Sequence, residues 1–564
     1  MRLQAAIAAT ALVLSGQTAV HAAPEPIQPD PVLAYLEDPG GVDLAKVVRS
    51  REARTRARVL TTPRPGHTHG EREPASVRGR NDSPWTAERT DFGRHRAAVF
   101  TGSLLADPTM PVVGEFAEPN DSAQTASDTG VGTTRRAIRT TGAITAQDQD
   151  FYRLRGAGLT TVGTITPGSD LDTALTVFDA AGVEVATADN TIASTDARLD
   201  VELTAGADYF VRVTGVAATE GTYELTLAAG EGQGDRDFFA VDLKAGDVLG
   251  ASVTGAARKL VVHDTAGRLV VGSQQDLSFA LPPQSPLPGG GNAVADYVAP
   301  RDGRYSVGVE DGTGRYDLTV QAFRPGSEKA GPQTVFVDFD GAVVDTTPFG
   351  GDGNRRLSPF SSFLRNWGLS EQDGDAVLSA TLATIRENLA VPGNVRLLNS
   401  RDHADLWGRK NVSRLVVGGT IAESGIQTVG IAQTIDPGNF GHEETAMLLL
   451  DRLSGPAGTS VSLNTYLAPQ SDKIAFLGRA LGNVAAHELG HLSGSWHQHQ
   501  FNAHDTLMDQ GGNARAMFAV GADGIGGTAD DTDMDFGEDE YVPNEGFTGV
   551  EDTATRTKWG YSRR

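Results

Sequence analysis

Residues 487–497 read His-Glu-Leu-Gly-His-Leu-Ser-Gly-Ser-Trp-His, and this stretch concentrates the side chains most able to do chemistry. Two histidines four apart, His487 and His491, stack on one face of a helix with rings close enough to hold one ion. Glu488 stands beside the first ligand, where it can take a proton from a metal-bound water. Gly494 permits a sharp turn after the helix, as a glycine just past a helix end commonly does. That turn lets His497 swing back as a third ligand. Three neutral imidazoles leave the fourth position of a zinc ion open for water, the arrangement that a hydrolytic site needs. Other histidines carry less: His442-Glu443 has no second histidine four residues on, and His499 and His504 fit no ligand spacing.

These ligands need a rigid helix. Ile474, Leu477, Leu481 and Val484 recur at spacings of three, four and three, which makes an apolar stripe that His487 and His491 continue. The pattern predicts a helix over roughly 471–493 and another over 376–389. Short apolar runs at 334–339, 395–398, 415–417 and 447–450 read as strands. The Gly- and Pro-punctuated segment 324–332 precedes them as a linker.

The motif resembles that of the metzincin family of zinc endopeptidases, His-Glu-x-x-His-x-x-Gly-x-x-His. The resemblance implies an α+β catalytic domain over 333–564. It also implies zinc held by His487, His491 and His497, Glu488 as general base, and protein or peptide substrates. Metzincins place a methionine in a tight turn below the metal. Met508 in Thr506-Leu507-Met508-Asp509 is the candidate for that structural floor, the alternative being an ordinary core methionine. The segment 430–433, Gly-Ile-Ala-Gln, looks like the family's cleft-lining edge strand. Gln498 follows the third histidine and Gln510 lies two past the methionine, where some subfamilies carry a tyrosine, so no subfamily is assigned.

A second metal feature is the Gly-rich acidic stretch with Asp523, Asp530, Asp531, Asp533 and Asp535. Carboxylates two apart in a flexible loop suit calcium, which takes six to eight oxygens. The alternative is a solvated acidic loop.

With 564 residues the chain exceeds one core, and multiple domains are expected. Its net charge of −24 argues against nucleic-acid binding, which needs basic patches. The absence of cysteine removes a thiol nucleophile and a cysteine latch on the metal. Arg2, the apolar run 5–14 and Val20-His21-Ala22 read as a signal peptide over 1–22, so secretion is expected without stable membrane insertion. From Lys46 to Arg96 there are thirteen Lys or Arg against six Asp or Glu. Residues 23–115 are therefore expected as a disordered leader or as a basic propeptide lying on an acidic catalytic domain.

Residues 116–325 contain an internal repeat. Asp148-Gln149-Asp150-Phe151-Tyr152 returns as Asp235-Arg236-Asp237-Phe238-Phe239, and Asp179 to Gly182 returns as Asp264 to Gly267. Alternating apolar and polar residues around glycine turns predict two all-β sandwiches, at 116–229 and 230–325. The first resembles the bacterial pre-peptidase C-terminal domain, including its opening motif Glu118-Pro119-Asn120-Asp121. The second lacks that opening and carries a Pro/Gly-rich insertion at 282–291. The leading expectation is a secreted zinc endopeptidase. The alternatives are an adhesion or surface-binding protein whose sandwiches act beside a degenerate zinc domain, and a zinc hydrolase of another substrate. An intact Glu488 weighs against a degenerate site.

Overall fold

The structure is a computed structural model. It describes residues 65–562 apart from 76–79, 106–110, 146–147, 167–168, 170, 189–196, 230–234, 325–332, 391–394, 501, 503, 512 and 543–545. The expected signal peptide, the first part of the leader and most of the 324–332 linker lie outside the described residues. The fold is β-rich and multidomain. No described helix is long and apolar enough to cross a membrane.

The first sandwich packs two sheets face to face. One has the order Arg198–Leu203, Gly158–Ile165, Gly221–Ala229, Ala137–Ile144; the other runs Ser127–Asp128, Asp150–Arg155, Asp208–Gly215, Thr173–Asp179, Glu184–Ala188. Alternate residues from both, among them Ile138, Val162, Leu225, Leu154, Val177 and Val211, fill one core.

The second sandwich has the same strand order, but its chain is broken in two. Its sheets run Ala293–Val298, Val248–Gly255, Gly314–Phe323, Ala97–Leu104, Thr68–Gly70 and Glu88–Arg89, Asp237–Leu243, Gly303–Glu310, Lys259–His263, Leu269–Ser273, Phe547–Thr548. The strand Ala97–Leu104 pairs antiparallel with Gly314–Phe323, as Ala137–Ile144 pairs with Gly221–Ala229. Glu88–Arg89 runs parallel to Asp237–Leu243, as Ser127–Asp128 does to Asp150–Arg155. The first sandwich is thus inserted into the second.

This corrects the expected organisation. The leader placed over 23–115 includes residues 65–105, which supply strands to the second sandwich. The opening that 230–325 lacks lies upstream, at Asn81-Asp82-Ser83. There Ser83 and Thr86 share hydroxyls at 2.8 Å, as Ser122 and Thr125 do after Asn120-Asp121.

Each sandwich also buries an aspartate under a tyrosine. Tyr223 donates to Asp150, and Tyr316 donates to Asp237 at 2.7 Å. The hairpin turns match as well: Asp179 accepts from the amides of Ala181 and Val183, and Asp264 from those of Ala266 and Arg268.

Residues 334–561 form a mixed sheet with helices. Its strand order is Arg396–Asn399, Thr334–Asp338, Val412–Val417, Thr445–Leu448, Gly430–Ala432; neighbours among the first four pair parallel and the last pairs antiparallel. The central strands are buried on both faces, as parallel strands covered by helices must be. The helix Glu371–Asn388 packs against the helix Lys473–His491 through two small positions. A Cβ on Gly478 would sit 2.2 Å from Ala380 Cβ, and one on Gly482 2.4 Å from Thr384 Cβ. Lys473–His491 starts at Asp472, whose carboxylate accepts from the Ala475 amide at 3.0 Å. It is buried all round from Phe476 onward apart from the half-buried Arg479, so the expected single stripe understates its position. It is the central helix.

Burial, reinforced by the neighbouring Glu71 carboxyl, pushes the Asp237 carboxyl up to about 9. A carboxyl raised above its unfolded value stabilises the fold below that unfolded value and loses this as pH rises through the folded one. The melting temperature is therefore expected to fall between about pH 5 and pH 9. Asp237→Asn should flatten that slope, measured by thermal denaturation across the range.

Candidate metal centre

The C-terminal half of the central helix, the turn after it and a second turn at 506–509 meet around three imidazoles. His491 Nε2 lies 3.2 Å and His497 Nε2 3.3 Å from His487 Nε2. His487 Nδ1 donates to the Leu507 carbonyl at 2.6 Å, and His491 Nδ1 donates to the Ser495 carbonyl at 2.7 Å. A carbonyl only accepts, so both rings carry their proton on Nδ1 and turn the Nε2 lone pair inward. Ligands at about 2.0–2.1 Å in a tetrahedron stand roughly 3.3 Å apart. The donor set and spacing therefore fit zinc, and the carbonyl partners are the outer shell such ligands usually have.

Gly494 carries the turn to His497 with φ +104°, and a Cβ there would come 2.3 Å from Pro437 Cα. His497 is fully buried. Met508 is fully buried too, and a Cβ on Gly490 would lie 2.6 Å from its Sδ, so the methionine sits beneath the helix between the first two ligands. Its turn is tied to the site at both sides. Leu507 supplies the carbonyl for His487, and the Met508 carbonyl accepts from the Gln498 amide at 2.7 Å. Thr506 closes the turn by donating to Gln498 Oε1 at 2.7 Å and to Asp509 at 3.0 Å. Burial pushes the Asp509 carboxyl up to about 7.

Glu488 is 2% exposed and lies against the edge strand Gly430–Ala432. A Cβ on Gly430 would meet its Oε1 at 2.1 Å, so only glycine lets the carboxylate approach there. Gln498 is held by the Gly537 and Glu551 carbonyls, and Gln510 accepts from Gln500 at 3.2 Å. His499 and His504 join no converging group among the described residues. His442 serves through its backbone carbonyl, which accepts from Gln333.

The acidic stretch expected to hold calcium is not brought together. Asp531 pairs with Arg479 at 2.9 Å, Asp530 accepts from Thr528 and the Asp523 amide, and Asp523 accepts from the Ile525 amide. Asp533 and Asp535 are exposed. Asp523, Asp530 and Asp531 thus face the loop's own amides, one hydroxyl and one arginine. The carboxylates that do converge lie in the sandwiches, at Glu118, Asp121 and Asp148, and at the corresponding Glu73, Asp82 and Asp235.

Residues not singled out from sequence surround the third ligand. Arg556, on the helix Thr553–Tyr561, is 3% exposed and ion-paired to Asp296 and Glu551. Burial alone would lower its pKa, but those carboxylates and Tyr541 raise it well above the usual value. Trp496 is buried beside it. Trp496 stands inside the motif and could have been noticed as a large apolar residue between ligands; Arg556 gives no local signal.

No family model matches the chain, and no curated protein matches it. Among solved structures, it is similar to the Yersinia pseudotuberculosis-derived mitogen at 12% identity and TM-score 0.15, covering 17% of this chain and 88% of that one. It is similar to the Aeromonas hydrophila periplasmic inhibitor of g-type lysozyme at 16% identity and TM-score 0.14, covering 21% and 96%. It also aligns with tripeptidyl peptidase 2 at 7% identity and TM-score 0.13, covering 39% and 24%. Likenesses this low carry no argument about this chain.

Gly494→Ala would place a methyl group against the Pro437 backbone and strain the turn. Zinc bound per folded chain, measured by atomic absorption after dialysis, is expected to drop below the wild-type value, together with a lower melting temperature.

Proposed function

We propose that this protein is a secreted zinc-dependent endopeptidase with a metzincin-like α+β catalytic domain over 333–564. The observation that carries this reading is the convergence of three imidazoles, with the His491 and His497 Nε2 atoms 3.2 and 3.3 Å from that of His487, two of them on the same helix as a buried glutamate. His487, His491 and His497 would hold the metal. Zinc bound there supplies a Lewis acid and lowers the pKa of water in its open position.

The chain's own groups do the rest. Leu507 and Ser495 fix the tautomers of two ligands through their carbonyls. Glu488 takes a proton from the attacking water and returns it to the leaving amine, since it is the carboxylate adjacent to the first ligand. Met508 and its turn keep the ligand helix and the His497 turn in register. The strand Gly430–Ala432, at the sheet edge and against Glu488, suits an extended peptide lying across the site. The sandwiches, the first resembling pre-peptidase C-terminal domains, are accessory to the peptidase. Any leader removed on activation is placed within 23–64, because residues from 65 onward build the second sandwich.

The test is casein cleavage by the full secreted chain, with and without phenanthroline. Cleavage is expected to stop with the chelator and to return on adding zinc. Glu488→Gln should bind zinc at wild-type stoichiometry and lose activity by about a hundredfold or more. Retained turnover in that variant would remove Glu488 from the mechanism.

A further inference from the structure

The second sandwich reaches into the turn that presents the third histidine. Asp296, on the strand Ala293–Val298, is 5% exposed. Its Oδ2 accepts from the Trp496 indole Nε1 at 3.0 Å, and its Oδ1 accepts from Arg556 Nη1. Arg556 spends its other donors nearby. Nη1 also donates to the Gly494 carbonyl at 2.9 Å, Nη2 to the Asp296 carbonyl at 3.2 Å and to the Tyr541 hydroxyl at 3.1 Å, and Nε pairs with Glu551 at 2.7 Å. Glu551 closes the ring by accepting from the Trp496 amide at 3.0 Å.

Between the second and third ligands, then, one carbonyl, one amide and one indole are held by a single buried network. One of its two acids belongs to the sandwich. We propose that Asp296 is a positioning residue for His497, acting through Trp496 and Arg556, so that the second sandwich is a structural part of the metal centre. This rests on the zinc reading above.

Three features separate positioning from simple docking. First, the turn at 494–497 needs external support, because Gly494 has the backbone freedom to leave its φ of +104°. Second, the arginine fork fixes direction as well as charge, since its planar donors meet Asp296, Gly494 and Glu551 at once. Third, the sandwich and the C-terminal part also meet through bonds that are not made to this turn. Arg268 grips Glu538 through two bonds of 2.6 and 2.9 Å, and Gly272–Ser273 pair with Phe547–Thr548. Cleavage in the linker after residue 323 would therefore leave the sandwich bound to the site it supports.

The test uses the full-length chain loaded with zinc, or with cobalt for its visible spectrum. The zinc dissociation constant is measured by competition with a chromophoric chelator. Asp296→Ala and Trp496→Phe are each expected to raise it about ten- to hundredfold, the usual cost of losing an outer-shell support. They should also shift the cobalt spectrum toward that of His497→Ala. Trp496→Phe keeps an aromatic ring against Phe547 and serves if Asp296→Ala does not fold. Asp296→Asn retains an acceptor for the indole and should recover part of the affinity. Arg268→Ala, which loosens the same interface away from the turn, should lower the melting temperature and leave zinc affinity unchanged.

Wild-type affinity and spectrum in both Asp296→Ala and Trp496→Phe, or in Trp496→Phe alone where Asp296→Ala does not fold, would overturn the proposal. So would an equal loss of affinity in Arg268→Ala. A wild-type chain that takes up no zinc would instead overturn the zinc reading and this inference with it, a result distinguishable from tight zinc in every variant.

Discussion

Three imidazole nitrogens aimed at one point constrain this chain more than any other contact. Lone pairs facing one another across 3.2–3.3 Å repel, and side chains free to rotate would turn away. They are kept in place because each ring is gripped from behind or at its backbone. His487 is pinned by a turn twenty residues downstream and His491 by the carbonyl of Ser495. His497 lies in a backbone segment bonded to Met508 and to Val542. The central helix can bear this because it is packed on every side, with glycines where helix Glu371–Asn388 must come close. Rigidity here comes from packing and hydrogen bonds, since there are no cysteines to cross-link the chain.

The convergence of the three histidines was legible in the sequence because it is local. Spacings of four along a helix, and of six across a glycine turn, translate directly into geometry. Four strands of the mixed sheet were legible for the same reason, as short apolar runs, while Gly430–Ala432 was reached only through the resemblance. Met508 was found by resemblance, and its position beneath Gly490 is a tertiary fact. What stayed hidden was non-local. A buried arginine is unreadable from composition, because most arginines are solvated and nothing near Arg556 marks it. The layout of the acidic loop was hidden too, because acidic spacing among glycines does not say whether the carboxylates face one another or their own amides. Asp523, Asp530 and Asp531 face amides, a hydroxyl and Arg479.

The domain plan was misread for a different reason. A repeat is visible in a sequence only where its copies are contiguous, and the second sandwich is not contiguous. Its first strands sit in a stretch whose excess of arginine and proline reads as unfolded chain. Among the described residues, Arg89 lies on a short strand, Arg94 on a helical turn and Arg72, Arg80 and Arg96 in loops, close in sequence to apolar residues such as Phe92, Val99 and Phe100, which are buried. The same sandwich shares one apolar core with the C-terminal part, from Phe239 and Val307 through Met447 to Trp496 and Phe547. Domain boundaries drawn by composition therefore cut through a continuous interior.

The nesting of one sandwich in the other imposes an order on folding as the chain is made. Ala97–Leu104 cannot pair until Gly314–Phe323 has emerged; Thr101, for instance, waits for Asp317. Closing so long a loop is entropically costly for an open chain. The inserted sandwich completes itself in the interval, and its first and last strands, Ala137–Ile144 and Gly221–Ala229, lie side by side. Once folded, it draws the two halves of the host together and shortens the loop that remains. The strand Phe547–Thr548, which extends the host sheet beside Leu269–Ser273, arrives last of all. A chain that emerges N-terminus first can thus complete its inserted sandwich while the three histidines are still apart, and the cluster they form is among the last parts of the molecule to come together.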